Sequence, residues 1–333
     1  MKILITGHNG YIGTHIVSLL DYLGHQTIGC DLNLFIEDSF DEVPSPGIEL
    51  IKDFRSLTIE ELTGCVCVMH LAAISNDPMG DVDKNLTIAV NRDGSIELAK
   101  KAKEAGVPRF LFSSSCSIYG KTGDDSLKED AKLYPLSVYA ESKIEAEKGI
   151  SELASESFTP AFLRNATAYG YSPMLRNDLL VNNLLASVVA TNEIRIKSDG
   201  TPYRPLIHCK DIANAFISFM NAPAQSIHNK KINVGANSEN YQVKKIAGMV
   251  KDLIPGSEIT YTGEQLDDPR DYKVNFDLLN ELLPNFSLNY NVESGMKELH
   301  KKLIEKEFSS EDFEEFKYER LPVLSKKLHL LNG

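Results

Sequence analysis

The opening of the chain constrains its fold more than any other stretch. Lys2-Ile3-Leu4-Ile5-Thr6 is a short apolar run that breaks into Gly7-His8-Asn9-Gly10-Tyr11-Ile12-Gly13, after which a helical pattern begins. A strand that ends in spaced glycines and then opens a helix suits a dinucleotide. The glycines permit a tight turn, let the backbone approach a pyrophosphate, and seat the helix on its strand with free N–H groups facing the phosphates. The spacing is G-x-x-G-x-x-G rather than G-x-G-x-x-G, so the surrounding pattern has to carry the reading. It does so at Asp31, eighteen residues beyond Gly13, at the end of a second apolar strand, Thr27-Ile28-Gly29-Cys30. An acidic side chain there accepts both hydroxyls of an adenosine ribose and repels a 2′-phosphate, which favours NAD over NADP. His8, inside the turn, reads as a tolerated side chain and not as a proton carrier.

Further along, the apolar strands Ile48 to Ile51, Val66 to Leu71, Arg109 to Ser113 and Ala161 to Arg164 are separated by amphipathic stretches near 86–105 and 138–155. That alternation predicts an α/β fold, a Rossmann doubly wound parallel sheet with a smaller C-terminal substrate-binding lobe. The NAD-binding domain is expected over 1–170 with a returning segment near 203–235, and the lobe mainly over 171–333. The lobe should contain a helix near 178–191, a strand near 193–197 and a turn at Gly200-Thr201-Pro202. The charged tail around Phe308 to Lys317 reads as a solvated helix. Ligands of such sheets bind beyond the carboxyl ends of the strands, so the loops after Leu71, Ser113 and Arg164 should line the site.

With 333 residues, 42% of them hydrophobic, the chain can bury a real active site. Its formal charge of −12 argues against nucleic acid or an anionic membrane as a partner, because neutralising phosphates takes a basic surface. The first apolar run is too short for a signal peptide and no later run reaches the length of a membrane span, so a cytoplasmic protein is expected. The five cysteines, at 30, 65, 67, 116 and 209, lack C-x-x-C pairing. They read as buried reduced thiols, with no metal site indicated.

The chemistry is expected in Ser113-Ser114-Ser115-Cys116-Ser117-Ile118-Tyr119-Gly120, which follows a strand, and in Tyr139-Ala140-Glu141-Ser142-Lys143, which begins 24 residues after Ser115. Tyr139 and Lys143 share one face of a helix. An ammonium beside a phenol favours the phenolate and suits the tyrosine to general acid–base work, while a serine hydroxyl can orient a substrate hydroxyl. Tyr241 and Lys245 repeat the spacing without a preceding serine-rich strand end, and are assigned to an ordinary helix start.

Taken together, these motifs resemble the extended short-chain dehydrogenases/reductases, specifically the NAD-dependent epimerase/dehydratase group acting on nucleotide sugars. The likeness runs from the first residue to about residue 300. It rests on the glycine turn, Asp31, Asp53-Phe54, His70-Leu71-Ala72-Ala73, Asn91, the serine run, Tyr139 with Lys143, and Arg204-Pro205-Leu206-Ile207-His208-Cys209-Lys210-Asp211. The resemblance implies that Ser115, Tyr139 and Lys143 are catalytic. Asp53 and Phe54 would hold the adenine, Leu71, Ala72 and Ala73 would line the cofactor, and Lys143 would bind the nicotinamide ribose. The full cofactor-binding set is then Gly7, Asn9, Gly10, Tyr11, Ile12, Gly13, Asp31, Asp53, Phe54, Leu71, Ala72, Ala73, Asn91, Ser113, Tyr139 and Lys143.

On the substrate side, Arg204 matches the arginine that grips the sugar-nucleotide diphosphate, and Arg270 is a looser match to a second one. Ser115, Ser117, Thr167, Arg176, Asn182 and Asn183 complete the expected substrate set, with Arg176 equally readable as a surface charge. His208 and Asp211 are assigned to framework. In the implied mechanism Tyr139 removes a proton from a sugar hydroxyl, the one at C4, as hydride leaves that carbon. Returning the hydride to the other face gives an epimerase, releasing the ketone gives a dehydrogenase or reductase, and eliminating water gives a 4,6-dehydratase. The dehydratases carry Asp-Glu where this chain has Cys116-Ser117, which disfavours elimination and leaves Cys116 a packing role. A non-catalytic dinucleotide-binding regulator is the remaining alternative, against which the intact Tyr139 and Lys143 count. The same likeness implies a homodimer through the helices near 86–105 and 138–155.

Overall fold

The computed structural model describes residues 1–263 and 270–332. Seven parallel strands form the main sheet: β1 (Lys2–Thr6), β2 (Gln26–Asp31), β3 (Ile48–Ile51), β4 (Cys67–His70), β5 (Arg109–Ser115), β6 (Thr159–Asn165) and β7 (Lys231–Val234). Their spatial order is β7-β6-β5-β4-β1-β2-β3. The order reverses beside β1, which opens a crevice at the strand ends where the chain turns away in opposite directions. The central strands are buried on both faces, as their near-continuous apolar runs require.

Helices cover both faces. On one side Ile16, Val17 and Leu20 of the helix Gly13–Tyr22 share a core with Phe216 and Phe219 of the helix Cys209–Asn221. On the other, Leu98, Ala99 and Ala102 of Ser95–Glu104 meet Ala146 and Ile150 of Val138–Ser151. The sequence pattern suggested one continuous helix near 86–105, but the chain makes a π-helix over Ile88–Gly94 before the α-helix resumes. The wider turn coincides with Asn91, whose amide accepts from the Ile74 N–H (2.9 Å) and donates to the Ile74 carbonyl (3.0 Å). Such bulges frequently mark functional sites.

A second core is built from Leu184 and Leu185 of the helix Leu180–Thr191, Ile246 and Val250 of Val243–Leu253, and Leu299 and Leu303 of Val292–Glu305. The strand pair Glu193–Ile196 and Glu258–Tyr261 packs on it. A three-stranded sheet of Thr167–Tyr169, Tyr203–His208 and Asn240–Gln242 links the two parts.

The charged tail differs from the expected solvated helix. Only Ser310–Glu314 is helical there, and the flanking Phe308 and Tyr318 are buried. Tyr318 packs edge-on against Phe40, with centroids 5.3 Å apart, because two aromatic rings within a charged run are better sheltered than exposed. The following helix, Arg320–Asn332, lies against the segment after β2 and against the helix Asp77–Val82. All five cysteines are buried free thiols. Among the described residues no helix is long and apolar enough to cross a membrane.

Candidate active site

The glycine turn makes a cradle that side chains would fill. Gly7 has a φ of +76°, and a Cβ there would lie 2.8 Å from the Ala72 nitrogen; a Cβ on Gly13 would meet the Gly7 carbonyl at 2.1 Å. No side chain caps the helix that begins at Gly13, so its first turn keeps its amide dipoles for an incoming anion. Asp31 stands at the end of β2, accepting from the Asn9 N–H (3.2 Å) and the Asn33 N–H (2.9 Å). The cradle and this carboxylate fit the diphosphate and ribose of NAD. Tyr11 and Ile12 complete the turn, and the Tyr11 hydroxyl donates to the Gly170 carbonyl (2.6 Å).

One partner of this turn, Glu49, escaped the sequence reading. His8 is wholly buried under Gly29, and its Nε2 lies 3.2 Å from Glu49 Oε1, which also accepts from Asn9 (3.1 Å). His8 is therefore a packed member of the turn and not merely tolerated by it. Asp53 caps a short 3-10 turn, accepting from the Arg55 N–H (2.8 Å) and pairing with its guanidinium. Phe54 is buried against the His70 ring, 4.8 Å between centroids. Leu71, Ala72 and Ala73 follow β4, with the Leu71 and Ala72 N–H groups donating to the Thr6 carbonyl (3.1 Å each). Asn91 is fully buried, its amide committed to Ile74 and the Ser142 hydroxyl (3.2 Å). It thus holds the loop after β4 to the helix carrying Tyr139, and direct contact with a cofactor is not what its position offers.

That helix, Val138–Ser151, starts on the Ser137 cap, whose hydroxyl accepts from the Ala140 N–H (3.1 Å). Ser115 ends β5 beside the Tyr139 phenol. The buried Lys143 Nζ donates to the Ser113 carbonyl (2.8 Å) and lies 5.8 Å from the Tyr139 ring centroid. Burial raises the phenol above its usual 10, Asp77 raises it further, and Ser115 and Arg176 pull it back. Burial also lowers the Lys143 ammonium to about 7, against the pull of Glu147. The expectation that Lys143 by itself eases phenolate formation is therefore corrected: with Nζ on a carbonyl and the ring desolvated, burial dominates.

The substrate side is richer than the sequence suggested. Arg176 is buried and not a surface charge: its Nε and Nη2 grip Asp178, which also accepts from Asn76 (2.8 Å). Arg204 donates to the Tyr203 carbonyl (2.9 Å) and to the Arg270 carbonyl. Arg270 Nη1 meets Asp77 Oδ2 at 2.7 Å, and the other Asp77 oxygen accepts from Ser137. Ser117 donates its N–H to Ser115 Oγ (3.1 Å), while its own buried hydroxyl has no partner among the described residues. Thr167 is half-buried on the linking sheet. Asn182 is a correction: it is fully buried and bonded to the Gly170 N–H (2.8 Å), the Tyr11 hydroxyl (3.0 Å) and the Arg176 carbonyl (3.0 Å), so it shapes the loop and is shut off from ligand. Asn183, half-buried, donates to the Asn177 carbonyl (3.0 Å).

Behind the serine run lies a bidentate ion pair, Arg164 Nη2 to Glu147 Oε2 at 2.8 Å and Nε to Oε1 at 3.0 Å, joined by the Ser114 hydroxyl (2.6 Å). Cys116 is fully buried and donates to the Arg164 carbonyl (3.1 Å), and burial pushes its thiol up. His208 is sealed under Tyr290, stacked at 4.0 Å, and Asp211 accepts from the Asn289 and Tyr290 N–H groups (2.9 and 3.0 Å). Tyr241 lies on a strand, not at a helix start, with its hydroxyl donating to Glu239 (3.4 Å).

Comparison with known proteins agrees with this geometry. A Bacillus subtilis (strain 168) protein, the uncharacterized UDP-glucose epimerase YtcB, is 26% identical over 76% of this chain and 82% of its own. UDP-glucuronic acid decarboxylase 1 of Xenopus tropicalis is 24% identical over 81% of this chain and 64% of its own length. The solved structure of TunA, an NAD-dependent NDP-hexosamine 5,6-dehydratase of tunicamycin biosynthesis, superposes with a TM-score of 0.82 at 23% identity, covering 91% of this chain and 98% of that one. The profile of the NAD dependent epimerase/dehydratase family matches residues 3–235, from the glycine turn through the serine run and Tyr139 to the seventh strand. By that match, and by a fold that sets those motifs around one crevice, the chain belongs to the NAD dependent epimerase/dehydratase family.

Proposed function

We propose that the protein is an NAD-dependent nucleotide-sugar epimerase acting at C4 by transient oxidation. One observation carries the choice among outcomes: Ser115, Tyr139 and Lys143 converge, while the places where dehydratases hold carboxylates have Cys116, buried on the Arg164 carbonyl, and Ser117. With no acid or base in that loop, elimination is disfavoured and the keto-sugar is left to be reduced again. YtcB, named as a UDP-glucose epimerase, supports the same choice.

Ser115 orients the sugar hydroxyl toward Tyr139, which removes its proton as a phenolate and later returns it to the inverted hydroxyl. Lys143 holds the Ser113 carbonyl and the base of the phenol ring in place. NAD, held by the glycine turn and Asp31, would supply reversible hydride acceptance and a positive charge favouring the phenolate that burial opposes. Arg204 and Arg270 are assigned to the diphosphate. On the family likeness the active form is a cytoplasmic homodimer, which light scattering tests.

The test is incubation of the protein and NAD with UDP-, GDP-, CDP- and dTDP-sugars, followed by mass spectrometry and NMR. A product of unchanged mass with C4 inverted is expected. Accumulating NADH with loss of two hydrogens would make it a dehydrogenase, and loss of water a dehydratase; either sinks the epimerase reading.

A further inference from the structure

The carboxylates around Tyr139 bear on which sugars the site accepts. Asp77 opens the helix Asp77–Val82, which packs so closely on the catalytic helix that a Cβ on Gly80 would lie 3.0 Å from the Tyr139 Cβ. Its carboxylate accepts from Ser137, two residues before Tyr139, and from Arg270 Nη1 at 2.7 Å. Arg176, whose charge also acts on the phenol, is bound through two nitrogens to Asp178, which Asn76 also holds (2.8 Å). The Lys143 ammonium is on the Ser113 carbonyl. Each of these three cations thus already has an acceptor supplied by the chain.

A sugar whose C4 hydroxyl reaches Tyr139 places its C6 group only two bonds from the reacting carbon. In a uronate that group is a carboxylate. It would enter a partly buried pocket already holding the Asp77 charge, where like charges repel far more than in water. With Arg270 assigned to the diphosphate, it would also have to take Arg176 from Asp178, leaving that carboxylate without its partner. A neutral sugar meets neither cost, and its hydroxyl or amide N–H can donate to Asp77. Resting on the function proposed above, we infer that the substrate is a nucleotide sugar without a carboxylate, a neutral or amino hexose, and that Asp77 is the residue that excludes uronates.

The experiment compares matched pairs on one nucleotide, UDP-glucose with UDP-glucuronate, dTDP-glucose with dTDP-glucuronate, and GDP-mannose with GDP-mannuronate. Both kcat/KM and calorimetric binding to the NAD-loaded protein are measured, with wild type and Asp77→Asn. Wild type should favour the neutral member by at least about tenfold, and Asp77→Asn should narrow that gap at least about tenfold by lowering KM for the uronate. The wild-type ratio stands as a test even if the variant's melting temperature falls. Preference for a uronate, or an equal loss on both members in Asp77→Asn, overturns the inference while leaving the epimerase reading intact. Water loss that depends on Asp77 overturns it too, by making Asp77 an acid–base group. Failure of every nucleotide sugar to bind overturns the function itself, and the inference with it.

Discussion

Tyr139 and Lys143 lie one helical turn apart, and burial drives them in opposite senses: the phenol is held above its usual 10 while the ammonium falls to about 7. Burial thus favours the uncharged form of both groups. Replacing Tyr139 with Phe removes the proposed proton acceptor and leaves the glycine cradle and Asp31 untouched. Turnover should fall by about a thousandfold, in line with general acid–base contributions, while NAD still binds by calorimetry.

The Lys143 shift makes a prediction for stability. Its folded value, about 7, lies below the 10.5 of the unfolded chain, so between those values the unfolded state holds a proton that the folded state lacks. Stability from this group therefore rises with pH over that window, by up to about 1.4 kcal/mol per unit. Lys143→Met should lack that increment. Measured by urea denaturation, the variant's advantage over wild type should shrink by about 2 kcal/mol between pH 7 and pH 9; a constant difference contradicts the assignment.

Glu147 and Arg164 fix the end of β6 against the helix that carries Tyr139 through a pair that is nearly inaccessible to solvent. Removing one partner leaves an uncompensated buried charge, so Glu147→Ala should cost about 3–5 kcal/mol of unfolding free energy, read as a lowered melting temperature. The charge-neutral Glu147→Gln should cost less.

The helix Arg320–Asn332 reaches the segment after Asp31. Lys327 Nζ is 3.1 Å from Asp38 and donates to the Leu34 carbonyl, and the Arg320 guanidinium lies 4.3 Å over the Phe35 ring. Ending the chain after Glu319 should loosen this segment and speed NAD release by roughly tenfold, about 1.4 kcal/mol, in a stopped-flow exchange assay. An unchanged release rate would separate the helix from cofactor retention.

What the sequence made legible was local. The glycine turn, Asp31, the serine run and the four-residue spacing of Tyr139 and Lys143 each sit within one strand, loop or helix, where period and residue type decide the structure. What it hid was non-local. Asp77 and Arg270 meet across 193 positions, and Arg164 and Glu147 pair between a strand and a helix whose separate patterns say nothing of each other. Asn182 invited a substrate role as an amide in the expected loop, and only packing shows its amide consumed by Tyr11, Gly170 and Arg176. The docked tail escaped for a related reason: in a charged run, Phe308 and Tyr318 become informative only once Phe40 is seen to receive the tyrosine.

The central claim is that hydride leaves and returns to the same sugar carbon within one closed turnover. Its most direct test uses a substrate from the panel carrying deuterium at C4, with transient nicotinamide reduction followed by absorbance and the product read by NMR. The account predicts brief reduction, no net NADH, and deuterium retained at an inverted C4. Deuterium appearing in released NADH, or a product with its label in place and no transient reduction, would contradict it.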